Sequence, residues 1–338
     1  MRKIISSLLA ATLAAGVLTA CSSNEDTNKE GLSIVTTIFP ENDWVMNILG
    51  DNPSGAEVTM LLDNGVDLHS FQPTADDIMK IATCDVFIYV GGESDEWVED
   101  ALSEAVNPDM IVINLLDELG TAVVEEEMVE GMEAHEHEHD HEEEEHDHEE
   151  DEHEHEEGEV EYDEHVWLSL RNAASLVESI TDALVTADPE NAELYESNSS
   201  SYIGELNALD ARYSEAVSSA SFDTLLFADR FPFRYLVDDY GLNYYAAFVG
   251  CSAETEASFE TVSFLASKTD ELGLTSVLTI EGEDHSIAET VVSNTASQDQ
   301  QILTMDSIQS TTLEDAQNGV TYLSIMENNL TVLEDALN

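Results

Sequence analysis

Apolar residues in the first half of the chain gather in short runs separated by segments with a helical period. LSIVTTI (Leu32 to Ile38) precedes ENDWVMNILG, in which Trp44, Val45, Ile48 and Leu49 fall on one face. EVTMLL (Glu57 to Leu62) leads through DNGVDLHSFQP into TADDIMKIA, DVFIYVGG (Asp85 to Gly92) leads into DEWVEDALSEA, and MIVINLL (Met110 to Leu116) closes the series. Near-continuous apolar runs alternating with helical periods predict βαβ units around a parallel sheet. A second series has the same form: LLFAD before FRYLVDDYG, YYAAFVG before ETEASFETVSFLASKTDELG, SVLTIEG before SIAETVVSN, and QILTMD before a closing helical segment. The expected fold is therefore α/β, two similar lobes with parallel sheets flanked by helices, residues 32–187 and 221–338.

Between the lobes, residues 188–220 carry Leu194, Tyr195, Tyr202, Leu206, Leu209 and Tyr213 at helix-like spacings, with Pro189 suited to a first helical turn behind Asp188. A helix of that size spans about 45 Å, which suits a rigid strut joining two lobes. Residues from about 125 to 160 have neither a helical nor a strand stripe and are expected to form a disordered acidic excursion from the first lobe.

The start of the chain departs from this pattern. MRK is a basic start, IISSLLAATLAAGVL is an apolar stretch too short to span a bilayer comfortably, and LTAC places small residues before Cys21. Residues 1–20 are expected to be an export signal and 21–31 a linker. A signal ending at cysteine resembles that of bacterial lipoproteins, which implies lipidation of Cys21 and anchoring to the outer face of the cell membrane. Cys84 and Cys251 are expected to be free thiols, because nothing in their spacing demands a disulfide.

The chain of 338 residues has 74 acidic and 9 basic residues, a formal charge of -65. Such a surface repels nucleic acid and attracts cations. Of the eleven histidines, eight (His135, His137, His139, His141, His146, His148, His153 and His155) alternate with acids inside the excursion. They offer many weak combinations of metal ligands; ordering a flexible segment around an ion costs entropy, so these sites are expected to be weaker than a preformed pocket.

The remaining candidates stand where ligands collect in parallel sheets, at the C-terminal ends of strands. They are His69 after EVTMLL, Asp229 ending LLFAD, Glu281 ending SVLTIE and Asp306 ending QILTMD, joined by His165 at the head of the structured sequence that follows the excursion. Two imidazoles with carboxylates suit Zn²⁺, or Mn²⁺ in a mixed nitrogen and oxygen site. The chain has no HExxH, GxSxG or GxxxxGK[ST] motif, which weighs against a metallohydrolase and other enzymes.

The segments GVDLHSFQPT and HVWLSL, together with TIFPENDWVMNILGD, YLVDDYGL and the histidine-rich excursion, resemble in order and content the zinc-binding lipoproteins of ATP-driven metal-uptake transporters, a family that includes manganese receptors. The resemblance covers essentially all of the chain after Cys21. It implies a receptor, expected to be monomeric, that holds Zn²⁺ or Mn²⁺ between two lobes and hands it to a membrane permease; a metal-dependent adhesin is a further reading. By resemblance the ligands fall on His69, His165 and, near the end, Asp306. The position of a third histidine falls on Arg230, which has no lone pair to offer. Asp229 would substitute after a small shift, and His285 either restores the missing imidazole or begins a helix. A set of two histidines and two aspartates would resemble the manganese receptors, whereas the histidine-rich excursion favours zinc.

Overall fold

Each lobe is built on a four-stranded parallel sheet, and the strand order is the same in both. The computed structural model describes residues 31–133, 161–252, 256–282 and 284–338. The expected signal, Cys21 and the eight histidines from His135 to His155 lie outside the described residues.

In the first lobe β1 (Ser33–Thr36), β2 (Glu57–Met60), β3 (Val86–Tyr89) and β4 (Ile111–Asn114) pair in the order β2-β1-β3-β4, linked through α1 (Phe39–Leu49), α2 (Ala75–Thr83) and α3 (Trp97–Ser103). A short α4 (Leu115–Leu119) follows β4. Thr74 starts α2 with a reciprocal cap: its hydroxyl accepts from Asp77 N while the Asp77 carboxylate accepts from Thr74 N. In the second lobe β5 (Thr224–Phe231), β6 (Asn243–Val249), β7 (Ser276–Ile280) and β8 (Gln301–Met305) pair as β6-β5-β7-β8, with α7 (Arg234–Tyr240), α8 (Phe259–Leu272) and α9 (Ser286–Asn294) between them.

The lobes are joined by the long helix α6 (Ala192–Ser219), against which α5 (Leu170–Ala187) packs. Pro189 opens a single 3-10 turn, Pro189–Asn191, ahead of α6, and the Asp188 carboxylate accepts from Asn191 and from the Tyr195 hydroxyl. The stripe Tyr195, Tyr202, Leu206, Leu209 and Tyr213 is buried along the length of α6. Both α1 and the last helix, α11 (Tyr322–Ala336), which follows α10 (Leu313–Gln317), pack on it. A hydrophobic core runs through both lobes, from Trp44 and Phe87 to Phe227 and Met326, and a second, smaller one around Leu226, Phe248 and Val277 belongs to the second lobe. This arrangement holds the two sets of strand ends in a fixed relation.

Residues 125–133, which composition assigns to the acidic excursion, are paired to the rest of the structure. Glu125 bridges Tyr162 in antiparallel fashion, Glu126 N donates to Glu161 O at 3.0 Å and Asp163 N to Val124 O at 3.0 Å. Val124, Val129 and Met132 pack against the core, and Glu133 N donates to Ala247 O of the second lobe. Backbone pairing and a few scattered apolar contacts order residues 125–133, and neither leaves a periodic stripe in the sequence.

Candidate metal centre

The turn that carries His69 is set by Asp67. Its Oδ1 accepts from His69 N at 3.0 Å and starts a short 3-10 turn, Leu68–Ser70, beyond the C-terminal end of β2. His165 is placed by the same device: Asp163 Oδ1 accepts from His165 N at 2.8 Å and lies 3.0 Å from its Nδ1. The following Trp167 donates through Nε1 to Ser307 O and accepts at its carbonyl from the Tyr322 hydroxyl, which docks this turn on the loop after β8. His165 is fully buried.

With these turns in place the two Nε2 atoms stand 3.2 Å apart. Each Nδ1 is occupied, that of His69 by Ser94 Oγ at 2.6 Å and that of His165 by Asp163. A carboxylate or hydroxyl on one ring nitrogen fixes the ring and leaves the other free to ligate. Burial, the neighbouring His165 and Arg230 together push the His69 pKa down to about 3, against the pull of Asp67, so this imidazole is neutral and its lone pair available. Burial pulls His165 in the same direction, but the carboxylates of Asp163 and Glu164 outweigh it and raise its pKa.

Cys251 completes the cluster. One donor atom each from His69, His165 and Cys251 lies within 4.8 Å of the others, and no other such group of three occurs among the described residues. The thiol follows the C-terminal end of β6, on the opposite lobe from His69. Gly250 before it passes so close to the site that a Cβ there would stand 2.9 Å from His165 Cε1 and 3.0 Å from Phe231 O. Burial, with the Glu164, Asp163 and Glu126 carboxylates nearby, pushes the thiol pKa well above its usual value. Cys84 and Cys251 are both free.

The other sequence candidates are engaged elsewhere. Strand β5 gains a residue relative to β6 between Phe227 and Arg230. Such a bulge re-aims the side chains beyond it. Asp229 is left accepting from Arg230 N at 2.8 Å and Ile280 N at 3.2 Å, tying β5 to β7. Arg230 reaches across to the Asp67 carboxylate. Asp306 Oδ1 accepts from Ile308 N at 2.7 Å, and burial beside Glu281 lifts its pKa to about 6. Glu281 in turn accepts from both the amide and the hydroxyl of Ser307. His285 stands at the N-cap of α9, and its side chain accepts no cap hydrogen bond from the helix. None of Asp229, Glu281, Asp306 or His285 belongs to the group formed with the two histidines. The missed member, Cys251, obeys the rule that selected the others: it closes a strand-like run, YYAAFVG, at the end where ligands gather.

Residues 34–336 match the family described as ZnuA, the periplasmic component A of a zinc-uptake complex. The chain belongs to the ZnuA family. It is 33% identical over 336 residues to the zinc-binding lipoprotein AdcA of Streptococcus pneumoniae, covering 99% of this chain and 61% of that protein. It therefore spans less than two thirds of the length of this relative. The high-affinity zinc uptake system protein ZnuA of Bacillus subtilis is 29% identical over 312 residues, 92% of this chain and 89% of that one. Among solved structures, the Zn(II)-bound ZnuA-like domain of S. pneumoniae AdcA superimposes with a TM-score of 0.67 at 26% identity, covering 91% of this chain and 99% of that domain. The two lobes, the long helix and the candidate metal site near their interface are thus the frame of a ZnuA-family protein.

Proposed function

We propose that this chain is a high-affinity extracytoplasmic zinc receptor, which holds Zn²⁺ between its lobes on His69, His165 and Cys251 and delivers it to an ATP-driven membrane permease. Cys21 is the lipid anchor in this reading. The observation that carries it is the convergence of three donors from two lobes. Tetrahedral zinc with nitrogen and sulfur ligands sets its donors roughly 3.3–3.6 Å apart, and the two imidazoles already stand at 3.2 Å. Neighbouring carboxylates and a hydroxyl fix both rings, so little ordering remains to be done on binding.

A thiolate changes the expected metal. Sulfur ligands favour zinc and discriminate against manganese, so a His-His-Cys set points to zinc more firmly than the two-histidine, two-aspartate set that the sequence suggests. Asp306 is the carboxylate proposed to close the shell as the lobes adjust to the ion. The raised pKa of Cys251 implies that zinc must displace a proton from the thiol. The eight histidines from His135 to His155 act in this reading as a weaker collecting tract.

Isothermal titration of the wild type, of His165→Ala and of a deletion of residues 134–160 tests the reading. One tight zinc equivalent is expected in the wild type and in the deletion, and none in His165→Ala. Tight binding that disappears with the tract alone would overturn it.

A further inference from the structure

Beside the two histidines lies a narrow cleft of about 230 Å³ whose lining includes His69 and Cys251 together with Glu93, Glu126, Glu161 and Glu164. No lysine or arginine lines it. Burial increases along this set of carboxylates: Glu93 and Glu161 are exposed, Glu126 is half-buried and Glu164 is only 2% exposed. Glu126 Oε1 accepts from Cys251 N at 3.3 Å, which ties this carboxylate to the backbone of a proposed ligand. Glu126 and Glu161 also sit on the paired stems that flank residues 134–160, joined by the bond from Glu126 N to Glu161 O.

Glu164 is the member that calls for a ligand. Its Oε1 accepts from Ser94 N at 2.9 Å, whereas its Oε2 is buried and has no hydrogen-bond partner. That oxygen lies 3.4 Å from His69 Nδ1, which is itself already bonded to Ser94 Oγ. The carboxylate packs directly on Gly92, where a Cβ would stand 2.3 Å from its Oε1, and its Oε1 is held by the Ser94 amide. A buried carboxylate oxygen without a donor is costly, and the cleft beside it is lined by further carboxylates. A divalent cation removes both penalties at once.

We propose that this cleft is a waiting site for a divalent cation, held by Glu164 and Glu126, from which zinc passes to His69, His165 and Cys251. The inference rests on the receptor reading above. Carboxylate oxygens bind divalent ions with little geometric demand, so the ion is held loosely enough to leave. The imidazole and thiol donors beyond bind zinc more strongly. Direction follows from that difference in ligand chemistry, and rate from the negative potential of a cleft lined by acids.

Stopped-flow tryptophan fluorescence of the full chain tests this, because the Trp167 ring lies 5.2 Å from that of His165 and reports filling of the centre. In Glu126→Gln/Glu164→Gln the zinc association rate is expected to fall about tenfold at low ionic strength. The gap to the wild type should narrow with salt, and the dissociation rate should fall with the association rate, so that Kd stays within about threefold. Glu126→Gln/Glu161→Gln, which spares the buried carboxylate, should show the same direction to a smaller degree and guards against misfolding of the first variant. Unchanged association rates in both variants would overturn the proposal. So would faster dissociation with a weaker Kd, which would make Glu164 a brace for His69 alone. If the wild type shows no saturable tight zinc binding, the receptor reading fails first and takes the waiting site with it.

Discussion

Arg230 at the end of β5 pairs with Asp67 of the first lobe, Nη2 to Oδ2 at 2.8 Å, and so joins the lobes beside the candidate metal centre. The same Asp67 carboxylate accepts from His69 N through its other oxygen. With its amide nitrogen turned to Asp67 Oδ1 at 2.9 Å, Gln309 places its oxygen 3.3 Å from His165 Nε2. A cation therefore stands at the position where the family resemblance implies a third histidine, and it does two things. It braces the His69 turn through Asp67, and its charge lowers the pKa of His69 and opposes any ion bound beside it.

Replacing that cation with a ligand is expected to strengthen binding. Arg230→His removes a positive charge from the edge of the site and adds an imidazole. Zinc affinity, measured by competition with a chelator, is expected to rise by about tenfold, which corresponds to about 1.4 kcal/mol. A clear loss of affinity would show that bracing of the His69 turn outweighs the charge.

Cys251 and Asp306 are both proposed to join the two histidines in the shell, and two substitutions weigh them separately. With Cys251 in the shell, Cys251→Ser costs at least about tenfold in zinc affinity, and the Co²⁺-loaded wild type shows a near-ultraviolet thiolate-to-cobalt band that the variant lacks. Asp306→Asn keeps that band and weakens zinc less. A Co²⁺ spectrum that is the same with and without the thiol would remove Cys251 from the shell.

Gly250 gives a steric test of the same geometry. A methyl group there meets His165 Cε1 at 2.9 Å and, on another side, the Phe231 carbonyl at 3.0 Å. The carbonyl belongs to β5 and has little freedom, so the imidazole must give way. Gly250→Ala is expected to weaken zinc binding by about tenfold or more, since displacing a preorganised ligand forfeits the convergence of the Nε2 atoms. Overpacking of this kind also costs about 1–3 kcal/mol of stability, so thermal unfolding of the metal-free variant is measured alongside. Unaltered affinity would mean that His165 is not held where the site requires it.

Most of the fold was legible because buried parallel strands are written as unbroken apolar runs, and VFIY and SVLTI leave little choice. As candidates, His69 and His165 were legible in part from their place next to recognisable elements and chiefly from the resemblance carried by GVDLHSFQPT and HVWLSL. Cys251 was not, because a cysteine after an apolar strand reads first as core packing, and only its approach to two imidazoles from another part of the chain makes it a candidate donor. The bulge in β5 was equally silent. Counting along FADRF places a side chain by register, whereas the extra residue re-aims Asp229 toward backbone amides and Arg230 toward Asp67. The ordered stems around Glu125 and Tyr162 hold chiefly through backbone bonds, which any acidic side chain permits.

Asp43 links stability to pH at a distance from the ligands. It lies on α1, accepts from the Tyr202 hydroxyl of α6 at 3.2 Å and from Asn47, and is largely buried. Burial raises its pKa from 3.8 to about 6, and the hydrogen bonds offset only part of that. Below about pH 4 the carboxyl is protonated in both folded and unfolded chains and costs nothing. Between about pH 4 and 6 the unfolded chain has released the proton while the folded one retains it, so stability falls as pH rises; above about 6 the loss is complete. One pKa unit is worth about 1.4 kcal/mol, which sets an upper bound of about 3 kcal/mol. Burial also raises the pKa of Glu41 and Asp95, whereas, against burial, hydrogen bonds and charges lower those of Asp67 and Asp77, so the informative quantity is the difference between the wild type and Asp43→Asn. Denaturant unfolding of the two at pH 4 and pH 7 is expected to show that difference moving toward the variant by about 1–3 kcal/mol. A difference that stays constant between the two pH values would mean that Asp43 ionises in the fold as it does in water.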